Sequence, residues 1–187
     1  MPKKKRKFRP LPAPEWLRDR LEYRGGMLFW KQRPISDFFD ERAFKIWNSQ
    51  NANRRAGSSM SNGYRMVSML GTKFLEHRII FQMEKRALRA GETVDHSDQN
   101  HVRNEVDNFR GCTHAQNLMN QPGRRPGSAL PKHVYWSKRE QRYKVAMRAN
   151  GSVHNIGTYS DLEIASAAAK EARDRLHGEF ADGRTSR

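Results

Sequence analysis

The chain has 187 residues, 36% of them apolar and 30% charged, with a formal net charge of +16 and a pI near 10.5. This allows one domain or two small ones with modest cores, and the charge calls for a polyanion: nucleic acid first, with an anionic membrane the rival. No apolar run is long enough to span or anchor in a bilayer, no signal-peptide core is visible, and the single Cys112 excludes an internal disulfide and a cysteine-based zinc site.

In chain order, residues 1–14 are basic and proline-rich and are expected to form a disordered arm. The run 2–7, P-K-K-K-R-K, reads as a flexible arm on phosphate or, in a eukaryotic cell, as a nuclear localisation signal. Residues 14–23 predict a short helix, with Pro14 near its start and Trp16, Leu17 and Leu21 on one side. A Gly25-Gly26 turn and a strand over 27–31 follow. Residues 35–59 have weak periodicity and receive no element. Residues 63–75 predict a hairpin about a Gly71-Thr72 turn, and 76–86 a helix with Ile79, Ile80 and Met83 apolar. Met60, Met66, Met69 and Met83 are packing residues. His77 reads as a structural histidine first and a phosphate contact second, whereas Arg78 suits phosphate better because a guanidinium bonds it bidentately.

The informative stretch is 94–120, V-D-H-S-D-Q-N-H-V-R-N-E-V-D-N-F-R-G-C-T-H-A-Q-N-L-M-N. Residues 92–96 and 108–112 are short enough to be two strands. Thr113 and Gln116 fit a capping box that opens a helix and places Asn117 in its first turns. Asn108 lies twelve residues beyond His96, and Asn117 nine beyond that. This pattern, Asp95-His96-Ser97-Asp98, then residues 104–110, then Thr113 to Asn117, resembles the HNH endonuclease motif in its cysteine-free, phage homing-type branch. The His77-Arg78 dipeptide matches a pair seen upstream in that family, and Trp47-Asn48 with Ala56-Gly57 resembles a further element of its phage members.

The resemblance implies a ββα-metal (His-Me finger) core near 92–120 within a nuclease domain over 15–120. It implies His96 as general base, Asn108 as the amide that pins the loop and orients His96, and Asp95 and Asn117 as ligands of one Mg²⁺ or Mn²⁺. The chemistry suits those types. A neutral imidazole accepts a proton near pH 7, and a carboxylate and an amide oxygen are hard donors. Arg78, Arg103 and Arg110 are then expected at DNA. The chain departs from the family at Ser97, where an apolar residue is usual, at Gln99, where glycine is usual, and at Glu105, where the family carries Arg. His101 and His114 fall at no catalytic position. Cys112 is expected to be a small buried strand residue.

Residues 121–131, Q-P-G-R-R-P-G-S-A-L-P, read as a linker in which Arg124 and Arg125 could track a backbone. A second module follows over 132–181, with a tail at 182–187. Residues 134–136 start a strand, and 142–149 alternate, with Tyr143, Val145 and Met147 on one side and Lys144, Ala146 and Arg148 on the other. Asn150-Gly151 is a hairpin turn, 153–159 a third strand, and 161–176 a helix with Leu162, Ala165, Ala169, Ala172 and Leu176 on one stripe. The motifs at 133–136, 150–152, 156–159 and 177–181 (H-G-E-F-A) resemble the APETALA/ethylene-response-factor DNA-binding domain, with His133 replacing its leading Gly and Tyr143 a core Trp. That family places the sheet face opposite the helix in the major groove, which implies Tyr135, Ser137, Lys144, Arg148 and Asn155 facing DNA, and Lys138, Arg139 and Arg142 near phosphates. His154 and His177 are expected to be structural.

The overall expectation is an α+β chain: a ββα-metal nuclease core joined to a three-stranded antiparallel sheet packed on one helix. Its partner is double-stranded DNA, with no membrane and no zinc, and it acts as a monomer in the cytoplasm of a bacterial or phage-infected cell. The rivals are a DNA-binding regulator with a decayed HNH fold and, on charge alone, an RNA-binding protein.

Overall fold

The computed structural model describes residues 10–121 and 129–181 of an α+β protein. The basic run 2–7, Arg124, Arg125 and the tail 182–187 lie outside the described residues. The chain divides into two compact units between His114 and Ala115, upstream of the expected 121–131 linker.

In the first unit, helix α1 (Pro14–Arg20) starts with Pro at its first turn and stops where Leu21 turns extended at φ −130°. Residues 21–23, expected to be helical, belong instead to strand β1 (Leu21–Arg24), paired antiparallel with β2 (Met27–Trp30). The reason is the turn between them. Gly25 and Gly26 sit at φ +47° and +79°, the left-handed pair a tight two-residue hairpin needs. The hairpin register then buries Leu21 and Leu28.

Helix α2 (Glu41–Asn51) is capped by Asp40, whose Oδ1 accepts from Ala43 N at 2.6 Å. None of its residues is fully buried, but Ala43, Phe44, Trp47, Asn48 and Asn51 form a half-buried stripe at helical spacing, with Trp47 edge-on to Trp30 at 5.5 Å. Strand β3 (Ser58–Ser59) flanks the hairpin of β4 (Arg65–Met69) and β5 (Thr72–Leu75). Its turn falls on Leu70 (φ +51°) and Gly71 (φ +68°), one residue earlier than expected.

Helix α3 (Glu76–Glu84) is the post around which this unit is built: seven of its nine residues are buried. Ile79, Ile80, Phe81 and Met83 join Leu17, Leu21, Leu28, Val67, Val94 and Phe109 in one core. The buried polar end of α3, Glu76 and His77, faces the site described below. Strands β6 (Thr93–His96) and β7 (Phe109–Cys112) pair antiparallel, with Asp95 opposite Arg110 and His96 opposite Phe109. Cys112 is buried as expected, and burial pushes its thiol up to about 12.

Helix α4 (His114–Asn120) is assigned with the second unit, where Lys132 Nζ donates to Met119 O at 2.8 Å. Three antiparallel strands follow, β8 (Val134–Ser137), β9 (Arg142–Ala149) and β10 (Ser152–Tyr159), with β9 in the centre. Helix α5 (Leu162–His177) is capped by Asp161 Oδ1, which accepts from Glu163 N at 2.7 Å and Ile164 N at 3.0 Å. Ala165 and Ala169 pack on Val134 and Val145, with Tyr143, Ile156 and Tyr159 around them. Side chains this small let the helix lie close to the sheet. No described helix is long and apolar enough to cross a membrane.

Candidate functional site

The polar centre of the first unit forms where the ends of β6 and β7 meet the first turn of α3. His96, the last residue of β6, is 5% exposed. Its ring lies 5.2 Å from Phe109 and 5.0 Å from His77 by centroid, both edge-on. Tyr64 closes the group, 6.3 Å from His96, 5.4 Å from His77 and stacked at 5.0 Å on His101. Burial pulls the His96 pKa below its ordinary value, against the Asn104 hydrogen bond and the Asp95 and Asp98 charges. Burial, with His96 and Arg78 nearby, pulls His77 down to about 3. Both imidazoles are therefore neutral at pH 7.

Asn108 is 3% exposed and immediately precedes β7. Its side-chain Oδ1 accepts from Asp98 N at 3.1 Å, and Nδ2 donates to Asp98 Oδ1 at 2.9 Å and to Arg103 O at 3.0 Å. Its backbone oxygen takes Ser97 N at 2.8 Å. One amide thus ties down both arms of the 97–107 loop. None of these bonds goes to the His96 ring. That ring is held by Asn104, whose Oδ1 lies 3.1 Å from Nε2. Asn104 in turn donates Nδ2 to Glu76 Oε2 at 3.2 Å. Glu76 is fully buried and also accepts from Leu28 N at 3.2 Å, with Arg65 at 3.5 Å and Arg55 at 4.0 Å. Asn104 and Glu76 were not singled out from the sequence. A glutamate is rarely buried, and its partner stands 28 residues away, so no local signal marks either.

Asp95 is buried, and its Oδ2 carries the Arg110 guanidinium, with Nε and one terminal nitrogen each at 2.8 Å. The β6–β7 register dictates this pairing, since residues directly opposite on antiparallel strands share a face. Arg110, expected at DNA, is thus a partner of the expected metal ligand. Arg103, also expected at DNA, bonds Glu105 at 2.8 Å, Asp107 at 3.0 Å and Asp98 at 3.4 Å. Arg78 is half-buried in α3, and burial lowers its pKa. Asn117 is half-buried on α4, in the other unit. Among the described residues no three His, Cys, Asp or Glu side chains form a metal-binding group. The donors expected for a metal are instead one carboxylate and one amide oxygen. These are hard oxygens that suit a divalent cation keeping most of its water. An open cleft lined by Arg55, Ser59, Gly63, Arg65, Val102 and Asn104 lies beside the histidine group.

In the second unit, the face of the sheet away from α5 carries Tyr135, Ser137, Arg142, Lys144, Arg148 and Asn155, following the alternation of β8, β9 and β10. Tyr135 is 55% exposed and Arg142, Arg148 and Asn155 are exposed, as are Lys138 and Arg139 in the β8–β9 turn. Lys144 pairs with Glu140 at 2.6 Å. His133, which replaces the glycine of the motif, sits at φ +71°, the conformation glycine favours. The same holds for Gln99, at φ +62°. His177 is buried, as expected of a structural histidine.

No family model matches the chain, and no solved structure matches it. A curated relative is Protein 3.8 of Escherichia phage T7, 26% identical over 105 residues, which span 56% of this chain and 86% of that protein. The similarity is to a phage protein whose name states no activity.

Proposed function

We propose that the chain is a divalent-metal-dependent HNH endonuclease of the homing type, which hydrolyses phosphodiester bonds in duplex DNA and is targeted by the sheet of its second unit. The observation that carries this reading is a neutral, buried His96 at a strand end, bonded to Asn104, beside a loop pinned by Asn108. The T7 relative supports a phage setting.

In this reading His96 takes the proton of the attacking water. Asn108 keeps the 97–107 loop in place, and the hydrophobic wall of Phe109 and His77 limits the water around the base. Asp95 would hold one Mg²⁺ or Mn²⁺, for which the resemblance names Asn117 as the second ligand and which when bound supplies Lewis-acid stabilisation of the phosphoryl and leaving oxygens. Arg110 shares or yields Oδ2 of Asp95 when it does. The second unit acts as a monomeric clamp. Tyr135, Ser137, Lys144, Arg148 and Asn155 face the groove, while Lys138, Arg139 and Arg142 meet phosphates. Arg55, with its exposed side chain at the cleft, adds a phosphate contact near His96.

A second reading has support of its own. The pairing of Arg103 with three carboxylates and of Arg110 with Asp95 suits a DNA-binding regulator whose HNH fold no longer cuts. Incubation with supercoiled plasmid separates the two. With Mg²⁺ or Mn²⁺ the nuclease reading gives nicked or linear product that disappears with EDTA and in His96→Ala and Asn117→Ala. Tight duplex binding with no cleavage in either metal selects the regulator.

A further inference from the structure

We infer that Glu76 and Asn104 form a positioning relay that fixes the tautomer of His96, so that the proton stays on Nε2 and Nδ1 is the basic atom. Its consequence for catalysis rests on His96 being the general base, but the relay itself follows from hydrogen-bond chemistry.

The argument starts at Glu76. Its side chain is 0% exposed, and its carboxylate sits in the first turn of α3. Leu28 N donates to Oε1 at 3.2 Å, and Arg65 and Arg55 stand 3.5 and 4.0 Å from Oε2. The helix N-terminus adds a further positive field. Burial raises the Glu76 pKa above its ordinary value, with Leu28 N, Arg65, Arg55 and Asn104 pulling the other way. The backbone N–H on Oε1 and the two guanidiniums beside Oε2 are donors suited to the carboxylate, and that geometry assigns Glu76 its ionised form. An ionised carboxylate only accepts hydrogen bonds. The Asn104 group that touches Oε2 at 3.2 Å is therefore its NH₂. The other end of that amide, Oδ1, is then the atom 3.1 Å from His96 Nε2. An amide oxygen also only accepts, so Nε2 must carry the hydrogen. A neutral imidazole holds one N–H, and Nδ1 is left with the lone pair.

The direction of each bond is thus set by a group 28 residues from Asn104 in sequence and on a different element from His96. When His96 takes a proton, one O–H bond of water breaks. Its hydrogen goes to Nδ1, the freed oxygen pair forms the new bond to phosphorus, and the bond from phosphorus to the 3′ oxygen breaks, that oxygen leaving with its electron pair and taking a proton from solvent water. The resulting imidazolium keeps its Nε2–H bond to Asn104, whose orientation and the Glu76 charge behind it both favour the cation. This is the arrangement of an oriented base with a buried acid behind it. Here an amide is inserted between the two.

The test reads the tautomer directly, by nitrogen-15 histidine NMR of the full chain at neutral pH, with His96 assigned through His96→Gln. The wild type should show the Nε2–H form alone. Glu76→Gln is isosteric but offers an N–H to Asn104, so the amide flips in part and both tautomers appear. Asn104→Ala should also release the ring to a mixture. A wild-type His96 in the Nδ1–H form, or a Glu76→Gln spectrum unchanged at His96, overturns the relay. Single-turnover plasmid nicking supplies the second arm. Glu76→Gln should slow cleavage by about tenfold, the worth of one hydrogen bond, with duplex affinity unchanged. A fall in affinity with an unaltered cleavage rate would instead mark Glu76 as merely structural. A wild-type chain with the Nε2–H form that nicks no DNA leaves the relay standing and removes the nuclease reading.

Discussion

Two side chains carry consequences that their neighbours fix. Asp95 and Arg110 are cross-strand partners, with side chains 8% and 16% exposed. Removing one member of a buried ion pair strands the other at a cost of about 3–5 kcal/mol. Arg110→Gln should therefore lower the melting temperature in EDTA. If Asp95 holds a divalent cation, Mg²⁺ will restore much of that loss, and by more than it stabilises the wild type. Equal Mg²⁺ responses in thermal melts would exclude Asp95 as a ligand. His77 sets a pH limit. Its folded pKa of about 3 lies below the unfolded value of about 6.5, so the unfolded chain binds the extra proton between these values. Stability from this residue is full above pH ~6.5 and is lost as pH falls toward about 3. His77→Gln should flatten that slope in urea titrations run across the window. An unchanged slope would show that His77 is protonated in the folded state as well.

The elements show which features the sequence discloses and which it hides. Alternation and turn residues located β9 and β10, and the Asp161 cap and alanine stripe located α5. The paired strands β6 and β7 were legible because their polar landmarks are local. The Leu21–Arg24 strand was not, since Trp16, Leu17 and Leu21 read equally well as a helix side until the Gly25-Gly26 turn claims the chain for pairing. α2 was hidden because its half-buried stripe mixes the apolar Ala43, Phe44 and Trp47 with the amides Asn48 and Asn51, so apolarity alone does not trace it. In the polar centre, His96 and Asn108 were singled out through the resemblance, whereas Glu76 and Asn104 were not, because burial of a carboxylate is a tertiary fact. The two departures from family glycine were legible as changes and gain their meaning from the backbone. Gln99 and His133 both occupy left-handed conformations that cost an ordinary residue roughly 1–2 kcal/mol. Glycine there relieves that strain but loses up to ~1 kcal/mol to its freer unfolded chain. Gln99→Gly and His133→Gly should each raise stability by about 0.5–1 kcal/mol, read as a higher urea midpoint at constant slope. A lower midpoint would mean that the side chain itself holds the turn.

At the scale of the whole molecule, a net charge of +16 makes attraction to any polyanion strong, so affinity alone identifies nothing. The salt dependence is more telling. Arg148→Ala, on the exposed sheet face, should weaken duplex binding about equally for all sequences if it meets a phosphate, and reduce the slope of log K against log salt by about 1. Lost discrimination between sequences at an unchanged slope would instead place Arg148 at a base edge. The division into two units raises the separate question of whether they melt together, and the lone sulfhydryl answers it. Cys112 sits in β7, 3% exposed, with its thiol pushed up to about 12, and no other cysteine exists anywhere in the chain. A thiol reagent is therefore blind to the second unit and silent toward the first until β6 and β7 part. Its reaction rate should act as an internal clock for that one event. In urea, a labelling midpoint that departs from the fluorine-19 tryptophan NMR signal of Trp136, resolved from those of Trp16, Trp30 and Trp47, would show the two units unfolding independently, and coincident midpoints would show a single cooperative transition.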